Sequence, residues 1–230
     1  MNVGLGVQWR SGAPNPKSNF YLHLAGREEL KESRVLHAGG GVVPTRRPLS
    51  SPVADGFLVI GDAALTCNPL HGGGIGPAML SAKIASEVIT RALSEGDCTR
   101  ERLWPYPLEY FKRYGSKQAA LDLFRMFLQD LSDDEIEFGM SKRLVDEGEV
   151  SGIGYTGDLE LSLAQKALRA LRGISRPRFL MRLSRVAKYM RMFKEHYLNY
   201  PEDPSGFEAW LNKTNSILNG FVKEVKLRKA

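Results

Sequence analysis

Residues 56–76 read GFLVIGDAALTCNPLHGGGIG, and an Ala-rich segment follows them. The apolar run from Phe57 to Ile60 has the length and composition of a strand. Asp62 lies just past its end, after Gly61, at the usual ligand edge of an α/β sheet. Glycines 72–74 remove side-chain bulk where a helix begins, and the free amides and dipole of a helix start favour a negatively charged group. We therefore expect a strand, a turn and a helix that hold a cofactor against bare backbone.

The segment after the glycines predicts an amphipathic helix. Pro77 falls in its first turn, where the missing N–H costs little. Apolar residues recur at steps of three and four, so we expect one face to be buried. These residues are Ile75, Ala78, Met79, Ala82, Ala85, Val88, Ile89 and Ala92.

The motif Gly61-Asp62-Ala63-Ala64, with Pro69 and the run Gly72-Gly73-Gly74-Ile75, resembles the second FAD-binding motif of the geranylgeranyl reductase family. This family is related to the aromatic-hydroxylase flavoproteins. The motif alone indicates FAD. Segments outside it extend the resemblance to archaeal digeranylgeranylglycerophospholipid reductases, and they are residues 2–7, 40–44, 103–118 and 194–201.

The resemblance implies an FAD-dependent oxidoreductase of lipid biosynthesis, which reduces C=C bonds in the geranylgeranyl chains of archaeal membrane lipids. It implies that Asp62 binds the ribityl chain or the adjoining pyrophosphate region, that Pro69 shapes the loop beside the flavin ring, and that the three glycines offer backbone donors to the ring. The cofactor-binding residues implied are Gly61, Asp62, Pro69, Gly72, Gly73, Gly74 and Ile75. An Asp after a strand is often only a turn or cap residue, which is the alternative role for Asp62.

The resemblance names no catalytic residue and no electron donor in this chain. His71 and Cys67 flank the proposed flavin ring, but a loop histidine is usually solvated and a thiol of this type is usually buried and inert. Two other functions stay open: a flavin monooxygenase, which shares the glycine–Asp motif, and a non-catalytic module that contacts a lipid surface.

One departure from the family concerns its first FAD motif. These flavoproteins begin with a strand, a G-x-G-x-x-G turn and a helix that hold the ADP half of the cofactor. Here Gly39-Gly40-Gly41 leads into residues 42–48, whose prolines prevent such a helix. Residues 2–9 alternate between polar and apolar and predict a strand that needs neighbours to pair with. We expect the chain to be a carboxyl-terminal portion of a larger flavoprotein, with the amino-terminal FAD-binding portion as its partner.

Composition limits the remaining classes. The 230 residues are 43% apolar, which is enough to bury a sizeable core. No apolar run is long enough to span a membrane, and the two cysteines suggest neither a disulfide framework nor a metal site. We expect a cytoplasmic protein, in contact with the membrane at most peripherally.

Residues 166–194 contain ten basic residues and no acidic residue. Within this segment Phe179, Leu183, Val186, Met190 and Phe193 form an apolar stripe at helical spacing. Three interpretations compete: a solvated helix packed on its own core, a contact with anionic lipid headgroups, and nucleic-acid binding. No recognition motif or base-stacking platform accompanies the charge, so we expect no nucleic-acid partner.

The predicted fold class is α/β, a remnant of a FAD-binding Rossmann-like domain of the aromatic-hydroxylase type, followed by a mainly helical domain. We place the boundary near Gly96, so that residues 1–96 belong to the FAD-binding and substrate region and residues 97–230 form the helical domain. Leu and aromatic stripes in the second part predict ordinary core, with a lipid tunnel as the alternative. Helix breaks are predicted at residues 151–154, at Arg176-Pro177 and at residues 201–206.

Overall fold

The computed structural model describes residues 3–8, 12, 14–142, 144 and 175–227. It divides into two compact units, residues 1–42 and residues 43–230. In the first unit, helix α1 spans Pro16–His23, and the Asn15 side chain caps it by accepting hydrogen bonds from the amides of Lys17 and Ser18. A 3₁₀ turn follows at Glu28–Leu30.

The strand predicted for residues 2–9 is wrong over the part that the structure describes. Residues 3–8 belong to no strand or helix, and Val3 and Leu5 are exposed. Alternation gives a segment a potential apolar face, but a strand also requires a hydrogen-bonded neighbour. Within the described ranges, residues 3–8 are not part of the sheet.

The second unit begins with an irregular segment and a short antiparallel hairpin. Strand β1 spans Val53–Ala54 and pairs with β2, Phe57–Leu58, in the register Val53 with Leu58. The apolar run from Phe57 is therefore extended as predicted, but only its first two residues form strand. In the described part of the chain these two strands are the whole sheet, so the expected remnant of a parallel Rossmann-like sheet is not confirmed.

Helices make up most of the second unit. A 3₁₀ turn at Gly61–Ala64 precedes α2, Ile75–Ser94. Helices α3 (Arg100–Leu103) and α4 (Pro105–Tyr110) run through a π-helical turn, Phe111–Gly115, directly into α5, Ser116–Asp130. Then come α6 (Asp133–Ser141), α7 (Pro177–Leu198) and α8 (Phe207–Val225). The breaks predicted at Arg176-Pro177 and at residues 201–206 are confirmed, and the one at residues 151–154 lies outside the described residues.

The helical core is rich in aromatic side chains. Helix α5 packs against α7, α7 against α8, and α4 against α2. The Trp104 ring stacks on Tyr200 at 5.1 Å between centroids, and its indole N–H donates to the carbonyl of Pro201 over 2.8 Å. Tyr106 and Tyr200 donate to the carbonyls of Val59 and Ser50, which fixes the segment around the hairpin to the helices. The domain boundary predicted near Gly96 stays a prediction.

The apolar stripe of the basic segment lies in this core. All five of its residues, from Phe179 to Phe193, are buried, as expected for a helix packed on its own domain. Several of its cations pair with the protein itself: Arg182 with Asp130 over 2.6 Å and with Glu135 over 2.7 Å, and Arg176 with Asp134 over 2.8 Å. The basic residues before Ser175 lie outside the described residues.

Among the helices of the described residues, none combines the length and the apolar composition needed to cross a membrane.

Candidate functional site: the loop before helix α2

Asp62 and the start of α2 lie side by side. The carboxylate of Asp62 is exposed, and no described residue donates a hydrogen bond to it. A Cβ atom built on Gly74 would lie 3.1 Å from Asp62 Oδ1, so any larger residue there would push against the acid, and glycine leaves the gap open. Asp62 caps neither the 3₁₀ turn nor α2, and the alternative role as a helix cap therefore finds no contact to support it.

The first amides of α2 have no acceptor within the described protein. Gly74 occupies the N-cap position without a side-chain cap, and the amides of Gly74, Ile75 and Gly76 donate to no protein group. Pro77, in the first turn as predicted, has no N–H to offer. The helix dipole adds partial positive charge at the same place. The site thus presents an acceptor carboxylate beside several free donors, a combination suited to a ligand with both hydroxyl and anionic or carbonyl oxygens.

The other two glycines serve the loop. The amide of Gly72 donates to the Asn68 carbonyl over 2.9 Å, and that of Gly73 donates to His71 Nδ1 over 3.0 Å. Gly72 has a φ of +71° and Gly61 one of +59°, in the left-handed region that glycine adopts without strain. Of the three glycines expected to offer amides, only Gly74 has one that is free within the described structure, and the other free amides belong to Ile75 and Gly76.

Asn68 closes the loop into a tight ring. Its side-chain oxygen accepts a hydrogen bond from the amide of Leu70 over 2.9 Å, and its own amide donates to the carbonyl of Gly73 over 3.0 Å. Pro69, between them, is buried. An Asn side chain that bonds to the backbone two residues on is a common way to stabilise a turn. Gly74, the residue directly after this ring, lies beside Asp62.

Cys67 and His71 also have structural contacts. Cys67 is buried, and its thiol donates to the carbonyl of Gly72 over 2.9 Å. Burial raises the pKa of this thiol, and the negative charge of Asp62 raises it further. The group is therefore a protonated donor at neutral pH rather than a nucleophile. His71 is exposed and accepts from Gly73, as described above.

Three side chains of the helical region support the loop through hydrogen bonds, and no site role was predicted for them from the sequence. Gln118 is fully buried and donates through Nε2 to the carbonyls of Arg46 over 2.9 Å, of Cys67 over 3.1 Å, and of Leu65. Tyr110 donates to Gln118 Oε1 over 3.0 Å, and Asn68 Nδ2 donates to the Tyr114 oxygen over 3.3 Å. The only sequence signal for them is their spacing of four residues.

Ser81 fixes the other end of the site. Its hydroxyl is buried within α2, accepts a hydrogen bond from the amide of Gly61 over 3.1 Å and donates to the carbonyl of Ala78 over 2.8 Å. A Cβ on Gly61 would contact Ala78 at 3.6 Å. The turn that carries Asp62 is therefore anchored on the helix whose amino end it faces.

The helix was correctly predicted in position, but its buried face is shorter than expected. Ile84, Ala85, Val88 and Ala92 are buried, whereas Ile75 is 82% exposed and Met79 is 69% exposed. Both exposed residues lie in the first two turns, next to the free amides. An open apolar surface thus adjoins the polar groups of the site.

No group of His, Cys, Asp or Glu in the described ranges could hold a metal ion.

Comparison with known proteins finds close relatives. No family model matches the chain. It is 42% identical to the digeranylgeranylglycerophospholipid reductase of Sulfolobus acidocaldarius over 226 residues, which are 98% of this chain and 50% of that protein. The proteins of the same name from Methanoculleus marisnigri and Methanothrix thermoacetophila are 38% identical over 47% of this chain and 36% identical over 59% of it.

These alignments cover 27% and 34% of the two methanogen proteins. The chain thus spans about half the length of the Sulfolobus relative, and its alignments with the other two cover between a quarter and about a third of them. Because the match to the Sulfolobus protein extends over nearly every residue, hairpin, loop and helices alike, the chain belongs to the geranylgeranyl reductase family.

Proposed function

We propose that this chain carries the flavin-contacting loop and the helical region of an FAD-dependent reductase that saturates C=C bonds in geranylgeranyl chains of archaeal glycerophospholipids. The observation that carries the proposal is the exposed carboxylate of Asp62 beside the free amides of residues 74–76. The relatives, whose names state the same substrate, support the lipid assignment.

The residues present fit FAD in chemical type. Asp62 would accept hydrogen bonds from hydroxyl groups of the ribityl chain. The amides at the start of α2 would donate to the electron-rich oxygens of the flavin ring, where negative charge accumulates on reduction. Bound FAD would supply the hydride for the alkene. Gly74 keeps the gap between acid and helix free of side chain, since a Cβ there would contact both Asp62 and Cys67 Sγ, the latter at 3.3 Å.

A direct test of the cofactor assignment is a titration of the purified chain with FAD, followed by flavin fluorescence. We expect Asp62→Ala to weaken FAD binding about tenfold, the usual effect of losing a charge-assisted hydrogen bond. Glu87→Ala is the matched control, because Glu87 is also acidic and exposed but lies on the outer face of α2. Equal affinity of the Asp62 variant and the parent would contradict the assignment.

The reaction itself is tested anaerobically. Chemically reduced FAD, the chain and a digeranylgeranyl glycerophospholipid are incubated together, and the lipid is then analysed by mass spectrometry. The proposal requires addition of hydrogen in pairs. Incorporation of oxygen in an aerobic reaction would instead favour a flavin monooxygenase.

Any peripheral membrane contact through residues 166–194 would be electrostatic, between exposed basic side chains and anionic lipid headgroups. The apolar stripe of this segment is buried in the protein, so it is not available for insertion into lipid. Arg178 and Arg191 are exposed and pair with no acid among the described residues. We expect the chain to sediment with vesicles containing anionic lipid at low salt and to be released as the ionic strength rises. Binding that is insensitive to salt would contradict this.

A further inference from the structure

Tyr110, Tyr114 and Gln118 form a polar row along one side of a continuous helix. Each contacts the segment 65–68 or a side chain that contacts it: Tyr114 meets Asn68, Gln118 meets the carbonyls of Leu65 and Cys67, and Tyr110 meets Gln118. Gln118 is fully buried, and Tyr110 nearly so. Burial raises the pKa of both tyrosines, so their hydroxyls stay neutral at physiological pH.

Gln118 is the centre of this row because an amide side chain offers both donors and an acceptor. Its nitrogen carries two hydrogens, and these serve three carbonyls, one from the segment around Arg46 and two from the loop. Its oxygen accepts the Tyr110 hydroxyl. Neither a carboxylate nor an aliphatic side chain could do both, and each would leave buried backbone carbonyls without a donor.

The π-helical turn puts these residues on the correct side. A π-turn contains one residue more than the corresponding α-helical turn, which changes the direction of the side chains that follow. Gly115 is required for it, since a Cβ there would overlap the ring of Phe111 and lie 3.2 Å from Tyr110 Cδ1. Tyr110 lies before the turn and Gln118 after it, and yet the Tyr110 hydroxyl bonds to the Gln118 side chain, which in turn bonds to the loop.

The contacts of Gln118 extend to the site. It holds the carbonyl of Cys67, whose thiol bonds to Gly72 and lies 3.3 Å from where a Cβ of Gly74 would be. The next residue, Asn68, closes the ring of the loop. Movement of the Cys67 backbone would therefore move the loop against the free amides of α2.

We propose that Gln118 is a positioning residue, which through the backbone of Leu65–Asn68 fixes the distance between Asp62 and the start of α2. The inference rests on the proposed FAD role of this loop for its functional meaning, but its structural part can be measured without cofactor. The residue itself touches neither flavin nor substrate.

The first experiment is amide hydrogen exchange, followed by mass spectrometry, on the full chain and on Gln118→Met. We expect exchange of peptides from residues 65–76 to rise about tenfold relative to peptides from residues 207–225, because a local network is lost while the core keeps its packing. Thr214→Val is the matched control, since Thr214 is also buried and hydrogen-bonded through its side chain but belongs to α8. It is expected to affect the second region and not the first.

A second variant guards against general destabilisation. Gln118→Met combined with Tyr110→Phe removes the hydroxyl that the single change leaves without an acceptor. We expect it to regain thermal stability relative to the single variant while the loop stays fast in exchange. Equal acceleration of both regions in Gln118→Met, or recovery of slow loop exchange in the double variant, would overturn the inference.

FAD titration separates this inference from the proposed function. If the parent binds FAD, Gln118→Met is expected to bind it about tenfold more weakly and Thr214→Val to bind it normally; undiminished affinity of the Gln118 variant would overturn the positioning role. If the parent takes up no FAD, the proposed function fails for this chain. Selective acceleration of the loop would in that case still support the role of Gln118 in fixing it.

Discussion

Acidification should destabilise this protein through one buried histidine, His196. Its Nε2 lies 2.8 Å from Thr214 Oγ1, and its ring stacks on Trp210 at 4.9 Å between centroids. The single hydroxyl hydrogen of Thr214 is donated to the carbonyl of Trp210 over 3.0 Å, so the threonine oxygen accepts from an N–H at Nε2. Burial, and then the positive charge of Lys213, lower the pKa of His196 from 6.5 to about 4.

The size of the effect follows from this pKa. Above pH 6.5 the ring is neutral in both the folded and unfolded chain, and the histidine imposes no penalty. As the pH falls the unfolded chain gains the proton first, and stability is lost until the folded ring also titrates near pH 4. At about 1.4 kcal/mol for each pH unit, the free energy of unfolding drops by about 2 kcal/mol between pH 7 and pH 5 and by about 3 kcal/mol by pH 4.

The assay is urea unfolding of the parent and of His196→Gln at a series of pH values between 7.5 and 4.5. The glutamine amide can still donate to Thr214 but does not titrate, so the stability of this variant should fall less steeply with pH, by about 2 kcal/mol over the interval. His23→Gln, at an exposed histidine of the first unit, serves as the control and should follow the parent. Parallel curves for the parent and His196→Gln would refute the reasoning.

Two further predictions concern the site and its support. Gly74→Ala should weaken FAD binding measured by fluorescence, since its methyl group would be 3.1 Å from Asp62 Oδ1. Gly139→Ala in α6, whose methyl group would make only an ordinary 3.8 Å contact with Phe179, should bind normally, and equal affinities of the two variants would count against the close approach. Asp122→Asn should lower the free energy of unfolding by about 3 kcal/mol in urea titrations, because it leaves the partly buried Arg47 and Arg125 without their acid. Glu109→Gln, in the exposed pair with Arg113, should change the free energy of unfolding by less than about 1 kcal/mol. Similar losses in both would contradict the distinction.

The parts of the fold that local patterns specify were predictable. Helix α2 was found from its periodicity and from Pro77, and the burial of the stripe from Phe179 to Phe193 followed from its spacing. The predicted strand at residues 2–9 shows the limit, because pairing depends on a second segment that alternation says nothing about. The exposure of Ile75 has the same origin, since periodicity identifies a face but not how far along the helix a neighbour covers it.

The candidate site divides in the same way. Asp62 and the glycines could be recognised because they form one short motif, and the structure brings Asp62 and Gly74 together. Gln118 could not, because in the sequence it is an ordinary polar residue within a helix. Its partners lie about fifty to seventy residues before it, and only the folded chain shows that it is fully buried. A polar residue in a helix looks the same in a sequence whether water or a distant carbonyl satisfies it.

The π-turn between α4 and α5 lets one continuous helical stretch pack against two different helices, α2 and α7. A helix advances about 100° for each residue, so an extra residue rotates everything beyond it by about that angle. Before the turn, α4 packs against α2; after it, α5 packs against α7. The helical stretch from Pro105 to Asp130 therefore has two parts that present different faces to their neighbours. The π-turn between the two parts lies next to the loop before α2. Deleting one residue in the π-turn would restore a regular α-helix there, and one of the two parts would then turn its packing face away from its neighbour.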